Sequence, residues 1–420
     1  MTDDRTPGEP SPIFETRQQA QLRLLQARYG DITPGPATWE RDGTAFHYRS
    51  KTLLIRDEFV SQVRTRLAGT PIEVRLDPGD RTYPGVTVAQ VSDVNEALRV
   101  INEGVGFDAA APNHLVHICP PTGVGGNCPA SEPIPVPLGT PPSPDVNRDK
   151  DAGQGVRVVV ADTGLDPSAE KRTPWLAGVT GDVDLGTLQN PMTEYAGHGT
   201  FIAGVVRCMA PAAEVHVRAT FGIGGAVFET ALLDGLIDIL DNDYPDIISL
   251  SAGTWTHASR DLLTMQLFGR RRLRLHKGVL LVAAAGNDNQ RWPFWPAAAP
   301  YAVSVGALDK GWIGKALFSN FGHWVDAYAP GDDLVNAFPA GVYIGQEEGN
   351  KGVEFKYEGM ARWSGTSFAT PLFAGMTAAR MSTTGENGVD AAARLLKLAQ
   401  KRAIPGLGAA IRPNDSTIRV

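Results

Sequence analysis

Apolar residues recur along the first third of the chain at two different spacings. Phe59, Val63 and Leu67 fall at helical intervals, as do Val94, Ala97, Leu98 and Ile101, a run that Gly104 ends. Around them lie stretches of strand character: His47 to Arg56, Ile72 to Leu76 with alternating apolar positions, Gly85 to Val91, and Asn113 to Ile118. The order reads βαββαβ, a small sheet carrying two helices, which is compatible with many functions. Farther on the pattern changes to continuous apolar runs, Val156 to Ala161, Asp246 to Leu250, Val279 to Ala283 and Tyr301 to Val305, with helical segments between most of them. Strands buried on both faces predict a parallel α/β sheet, and the chemistry of such a sheet sits beyond the carboxyl ends of its strands.

Between the two patterns, Cys119 to Lys150 holds nine prolines and four glycines in 32 residues. Proline donates no backbone hydrogen bond and stops helices, so this stretch is expected to run extended over a surface. The 420 residues divide accordingly into an N-terminal extension (1–45, with a helix around Gln18 to Tyr29), a small α+β domain (46–118), a linker (119–150) and a larger α/β domain (151–420).

Composition narrows the functional classes. Hydrophobic content of 42% and charged content of 20% are those of a globular chain. A formal charge of −7, from 39 Lys+Arg against 46 Asp+Glu, gives no basic footprint, so nucleic acid is not an expected partner. The longest apolar run, Val279 to Ala285, is seven residues, far short of the ~20 a membrane helix needs, and no membrane role is expected. Met1 to Pro7 carries two acids where a secretory leader carries basic residues, which predicts a cytoplasmic chain with non-classical export left open. Three cysteines make neither a disulfide framework nor a metal-ligand set. Cys119 and Cys128 are spaced to pair across a loop, although a cytosol favours free thiols. No metal and no cofactor is expected.

Three short segments carry chemistry. The first apolar run ends Val-Val-Ala-Asp162-Thr163-Gly164, placing a carboxylate at a strand's carboxyl edge, where an aspartate taken alone also serves as a turn former or helix cap. Gly197-His198-Gly199-Thr200 opens an apolar helix, and the small neighbours let another backbone or a substrate approach the imidazole. Ser367, in Ser364-Gly365-Thr366-Ser367-Phe368-Ala369-Thr370-Pro371, lies in the first turn of a helix expected to continue to about Met381. That position is expected to expose its hydroxyl and to aim the helix dipole and its own amide at an oxyanion. A serine needs a base to take its proton, and the base needs a carboxylate to fix its tautomer, roles that His198 and Asp162 fill.

On these segments the chain resembles the subtilases, the subtilisin-like serine peptidases, whose triad runs in the same order along the chain. Val-Val-Ala-Asp162-Thr-Gly, Gly-His198-Gly-Thr-Phe-Ile-Ala-Gly and Gly-Thr-Ser367-Phe-Ala-Thr-Pro match the family's three catalytic segments. Ala284-Ala285-Gly286-Asn287 matches its oxyanion-hole asparagine, and Ser249-Leu250-Ser251-Ala252-Gly253 its substrate-pairing strand. The resemblance implies a subtilisin-like fold in which Asn287 donates to the oxyanion beside the Ser367 amide. It also implies an extended substrate lying between Gly224-Gly225-Ala226, within Gly222 to Val227, and Ser251-Ala252-Gly253. Two departures stand out. Only Arg207-Cys208-Met209 separates Val206 from Ala210, which leaves no room for the calcium loop of many members, and Cys208 is expected as a small buried side chain. The segment Asp288 to Pro296 brings Trp292, Phe294 and Trp295 to where the family forms its primary specificity pocket, with at least one of them expected in the core. The βαββαβ region resembles the subtilase pro-domain in element order and position, a ferredoxin-like unit. That resemblance implies that residues 1–145 restrain the peptidase, with the proline-rich stretch Cys119 to Lys150 as the tail laid in the cleft plus the connection.

The expected function is a serine endopeptidase acting on proteins or peptides through an acyl-enzyme on Ser367. A sedolisin-type acid peptidase would need a glutamate for the histidine and an aspartate for the asparagine, and His198 and Asn287 speak against it. A non-catalytic regulatory protein of this fold would have lost a triad member. A protease switch, locked by its N-terminal region until a partner releases it, stays open.

Overall fold

The structure, a computed structural model, describes residues 25–35, 46–76, 83, 85–118, 132–222, 224–346 and 349–413. Cys119, Cys128, the linker as far as residue 131 and the part of the expected first helix before residue 25 lie outside these; residues 25–29 are helical.

In the N-terminal third, β1 (Ile32–Pro34) pairs with β2 (His47–Arg56). With β3 (Val74–Leu76), β4 (Val86–Val91) and β5 (Ala110–His117), β2 forms an antiparallel sheet in the order β5-β2-β4-β3. The helices Val60–Leu67 and Val94–Gly104 follow β2 and β4. Asp93 caps the second by accepting the Glu96 N–H at 3.0 Å. Strand periodicity separates two faces. Leu53 and Ile55 pack under the helices with Val63, Leu98 and Ile101, whereas Leu54 between them packs with Val86 against Leu263 and Leu267 of the larger region.

The described part of the linker begins with β6 (Ile134–Pro135). There follow β7 (Arg157–Asp162), β8 (Thr180–Gly181), β9 (Glu214–Ala219), β10 (Ala226–Phe228), β11 (Ile247–Leu250), β12 (Leu280–Ala284), β13 (Ala302–Leu308) and β14 (Ala327–Pro330). All but β10 join one parallel sheet ordered β14-β13-β12-β11-β7-β9-β8. Its four central strands, β13, β12, β11 and β7, are the four apolar runs of the sequence. One face, with Val158, Val160 and Val282, meets the helices His198–Met209 and Thr366–Thr384. The other, with Val159, Ile248 and Leu281, meets the helix Glu229–Asp238. Lastly, β15 (Leu334–Ile344) and β16 (Glu354–Trp363) form a long antiparallel hairpin to which β6 adds a strand.

The helix Thr366–Thr384 is buried along nearly its whole length, so its polar groups need internal partners. The Thr370 and Thr377 hydroxyls donate to the carbonyls of Thr366 and Phe373 at 2.9 and 2.8 Å. Pro371 has no N–H to give to the carbonyl of Ser367, four residues before it. The Ser251 hydroxyl supplies that bond at 2.8 Å. A proline in the helix thus ties the edge following β11 to the serine.

The described part of the linker, from Glu132 on, does not lie in the cleft. It follows the hairpin: Ile134 and Pro135 pair with Arg362 and Ala361, the Val136 N–H donates to Met360, and Ser143 exchanges two bonds with Val335. The sequence explains this, because Pro133, Pro135 and Pro137 alternate and leave only the N–H groups of Ile134 and Val136 to pair along one edge. A strand flanked on both sides needs donors facing both ways, and the proline-free end of β5 provides them.

Candidate active site

Asp162 is the last residue of β7 and His198 the first of its helix, so the sheet's carboxyl edge brings them together. His198 Nδ1 lies 2.8 Å from Asp162 Oδ1, which also accepts the Thr163 N–H at 2.8 Å. A carboxylate can only accept, so Nδ1 carries the proton and Nε2 is the basic nitrogen. The imidazole stands edge-on to Trp363, and its centroid lies 5.4 Å from that of Phe368, the neighbour of Ser367. The small residues beside His198 make room for protein rather than substrate. A Cβ on Gly197, at φ +80°, would come 2.3 Å from Pro339, and one on Gly199 would come 2.3 Å from the Gly164 carbonyl.

Asn287 follows β12 and is buried. Its Oδ1 accepts both the N–H and the hydroxyl of Thr366 at 2.9 Å, and the Gly286 N–H donates to that hydroxyl at 3.1 Å. A backbone N–H can only donate, which fixes the sense of the amide and makes Nδ2 the donor end. Thr366, present in the serine motif but given no role from sequence, therefore fastens the asparagine to the start of the serine's helix. Ser367 itself is only 3% exposed, against the expectation of an exposed hydroxyl.

That burial accompanies an occupied cleft. The end of β5 lies between the two edges named from sequence: β10 pairs with it through Ala226 and His117, Val227 and Val116, and Phe228 and Leu115. The Ile118 N–H donates to the Gly225 carbonyl at 2.8 Å. On the other side His117 and Gly253 exchange two backbone bonds, at 3.0 and 2.8 Å. Val116 and Ile118 point into an apolar cluster with Tyr195, Val227, Leu250 and Ala252. The chain's own strand thus lies paired between both edges, with Gly225 and Gly253 contacting it and Ser251 bonded to Ser367.

Asp184 is a member of the site that sequence reasoning missed. Its Oδ2 accepts the Thr163 hydroxyl at 2.9 Å and the Gly197 N–H at 2.8 Å, and its Oδ1 accepts the Gly186 N–H at 2.9 Å. One carboxyl therefore clamps the residue after Asp162 to the residue before His198. Nothing in Gly181-Asp182-Val183-Asp184-Leu185-Gly186 distinguishes it from Asp182, which lies largely exposed. Burial raises its pKa to about 6, against the pull of those three donors, and the charge of Asp162 pushes the same way as burial. An acid whose folded pKa is raised stabilises the fold below its unfolded pKa and loses that contribution as pH rises through the folded value. Wild type should lose about 3 kcal/mol on this account between pH 4 and pH 7. Asp184→Asn should not, so the stability of the variant relative to wild type should improve over that window in urea titrations; a constant difference would show that Asp184 does not titrate there.

Among the described residues no group of three or more His, Cys, Asp or Glu side chains is placed to hold a metal ion, and no helix is long and apolar enough to cross a membrane. Cys208 is buried, its thiol pushed up to about 12 by that burial, and accepts the Asn336 amide at 3.5 Å.

The sequence model described as the subtilase family matches residues 153–404. Subtilisin-like protease 7 of Arthroderma gypseum is 30% identical over 254 residues, 57% of this chain and 55% of that protein. The thermophilic serine proteinase of Bacillus sp. strain AK1 is 29% identical over 60% of this chain and 58% of its own length. Thermitase of Thermoactinomyces vulgaris is 28% identical over 61% and 84%. The chain thus spans little more than half the length of the first two. Among solved structures, fervidolysin from Fervidobacterium pennivorans, a keratinolytic enzyme related to subtilisin, superposes with a TM-score of 0.58 at 19% identity over 90% of this chain and 61% of its own, a likeness of fold.

Proposed function

Because the chain belongs to the subtilase family, we propose that it is a serine endopeptidase whose triad is Asp162, His198 and Ser367 and whose cleft is restrained by its own N-terminal region. The observation that carries the catalytic reading is the 2.8 Å contact of His198 Nδ1 with Asp162, together with Ser367 as the second residue of the buried helix Thr366–Thr384. His198 Nε2 takes the Ser367 proton as Oγ attacks the carbonyl carbon, and Asp162 stabilises the imidazolium. The oxyanion is met by the Ser367 amide and by Asn287 Nδ2. The imidazolium then protonates the leaving amine, and water releases the acyl group by the same steps. A fluorophosphonate is expected to label Ser367 covalently, and absence of label on both the folded wild-type chain and a folded chain whose β5 contacts are weakened by His117→Pro would sink this reading.

Asn287 acts only once charge reaches the oxygen, so Asn287→Ala should lower kcat with little change in KM. The scale is that of the corresponding loss in subtilisin, roughly 10²–10³-fold. A change confined to KM would count against the assignment.

The restraint is supported by the end of β5 lying paired on both edges of the cleft. In this reading residues 46–118 form a ferredoxin-like inhibitory domain, 119–150 its connection and 151–420 the peptidase, and the physiological substrates are proteins or peptides that replace β5. Proline at position 117 removes the N–H that donates to Gly253. His117→Pro in the full chain should therefore raise the rate of fluorophosphonate labelling at least ~10-fold, the equivalent of one lost 1.4 kcal/mol contact. An unchanged rate would leave the N-terminal domain as a recruitment module. A cytoplasmic location, with non-classical export open, belongs to the same proposal.

A further inference from the structure

The strand in the cleft also indicates where a substrate's next residue would go. His117 is opposite Gly253 in an antiparallel pair, so the position two residues farther along a bound peptide is opposite Ser251, whose hydroxyl is bonded to the carbonyl of Ser367. This is the residue whose carbonyl the serine would attack. Directly opposed residues share a face of the pair, and so do residues two apart on one strand. The pattern holds here, since Ile118, opposite Ala252, shares its apolar cluster. The side chain opposite Ser251 must then leave on the face that a side chain on Gly253 would occupy.

That face is filled. A Cβ on Gly253 would stand 2.3 Å from Phe294 Cε1, and one on Gly286, in the turn that carries Asn287, would stand 3.1 Å from Phe294 Cδ1. Two walls without side chains would open a deep slot, and the phenyl ring closes it. Phe294 is itself 2% exposed, edge-on to the buried Trp255 with centroids 5.1 Å apart. Its segment is held against the same edge by two backbone bonds between Trp295 and Thr254, at 2.8 and 3.0 Å. Of the three aromatic residues that the sequence brought to this region, Phe294 is the one enclosed between both walls.

We propose that Phe294 is a specificity-determining residue that restricts the position before the cleaved bond to small side chains, of the size of glycine, alanine, serine or cysteine. The inference rests on the serine-peptidase reading and names its substrate class. Diphenyl aminoalkylphosphonates that carry a single side chain test it in the full chain, because the ratio of two such rates cancels whatever β5 does to the access of either. The wild-type protein should be labelled by the alanine analogue at least ~100-fold faster than by the phenylalanine analogue, the scale on which a pocket rejects extra bulk. Phe294→Ala should bring the two rates within ~10-fold, and Phe294→Leu, which keeps a buried apolar side chain, should give an intermediate ratio. A small fluorophosphonate without a side chain reports the reactivity of Ser367 itself, so a variant that has merely lost its fold slows with every probe while its ratio stays unchanged. Equal labelling of wild type by both analogues, or a ratio that neither substitution moves, overturns the proposal. If the small fluorophosphonate labels neither wild type nor folded His117→Pro protein, the protease reading falls, and this one with it.

Discussion

Ser367→Ala is expected to abolish fluorophosphonate labelling and to lower kcat by about 10⁶-fold, the loss known for the triad serine of subtilisin. The scale follows from what is removed, since without the hydroxyl no acyl-enzyme forms and His198 and Asp162 have no proton to move. The environment of the site should survive. Ser367 holds the fold through its carbonyl, which accepts from Ser251, and alanine keeps that carbonyl. The melting temperature should therefore stay close to wild type while activity vanishes. Intact mass supplies a second reading: wild type cut within residues 119–150 beside an uncut Ser367→Ala protein would identify the cut as the chain's own work. Comparable turnover by the two proteins would remove Ser367 from the mechanism.

The second large effect concerns acid. His47, at the start of β2, and His117, at the end of β5, lie with ring centroids 6.3 Å apart. Across the junction, the His257 N–H donates to Nε2 of His114, whose Nδ1 meets Glu229 at 2.9 Å. Burial lowers the pKa of His47 to about 4. Burial, and then the neighbouring His47, lowers His117 to about 3; burial, then His114 and Arg260, lowers His257 to about 4. If the N-terminal region lifts away, these three imidazoles meet water and titrate near 6.5. A group held neutral in this way favours the closed arrangement above pH 6.5, and that advantage is lost as pH falls toward the folded values. At pH 5 each histidine weighs against closure by roughly 2 kcal/mol, so together they oppose it by several kcal/mol. Asp184 and Asp261, whose pKa values burial raises to about 6 and about 7, titrate in the opposite sense, but both belong to the larger region and bear mainly on its global unfolding. Hydrogen exchange of the amides of residues 114–118, corrected for intrinsic rates, should accelerate sharply between pH 7 and pH 5. His117→Gln should remove about a third of the pH dependence. Exchange that is flat over this range would show that the junction does not sense protons.

The central strands were legible because a strand covered on both faces must be apolar at every position, and β7, β11, β12 and β13 are. The three residues of the proposed triad stood out for a related reason, since each lies at the end of a buried element among small residues. The hairpin of β15 and β16 was not, because its outer half alternates with exposed residues such as Glu354, Lys356 and Glu358 and carries no continuous apolar run. The strand β9 escaped similarly, with Val215 and Val217 between polar neighbours. Asp184 and Thr366 act through bonds to residues far along the chain, and no local pattern marks a side chain whose partners are set by tertiary structure. The part of the linker from Glu132 on was misplaced because the pro-domain resemblance put the proline-rich stretch in the cleft. Proline removes the donors that a doubly paired strand needs, and β5, which keeps them, is the segment found there.

The polypeptide is pinned before residue 119 and after residue 131. Ile118 is held by Gly225, and Glu132 is buried, accepting the Tyr343 hydroxyl at 2.7 Å and the Gln346 N–H at 2.6 Å. While residues 119–131 remain continuous, occupancy of the cleft is a ring closure with a fixed local concentration, and diluting the protein does nothing to it. One cut in that segment turns the same contacts into an association between two chains. Occupancy then obeys mass action and falls with dilution below the dissociation constant, while Glu132 and β6 stay with the catalytic part. The cut therefore acts as a change of molecularity that leaves every contact of β5 in place.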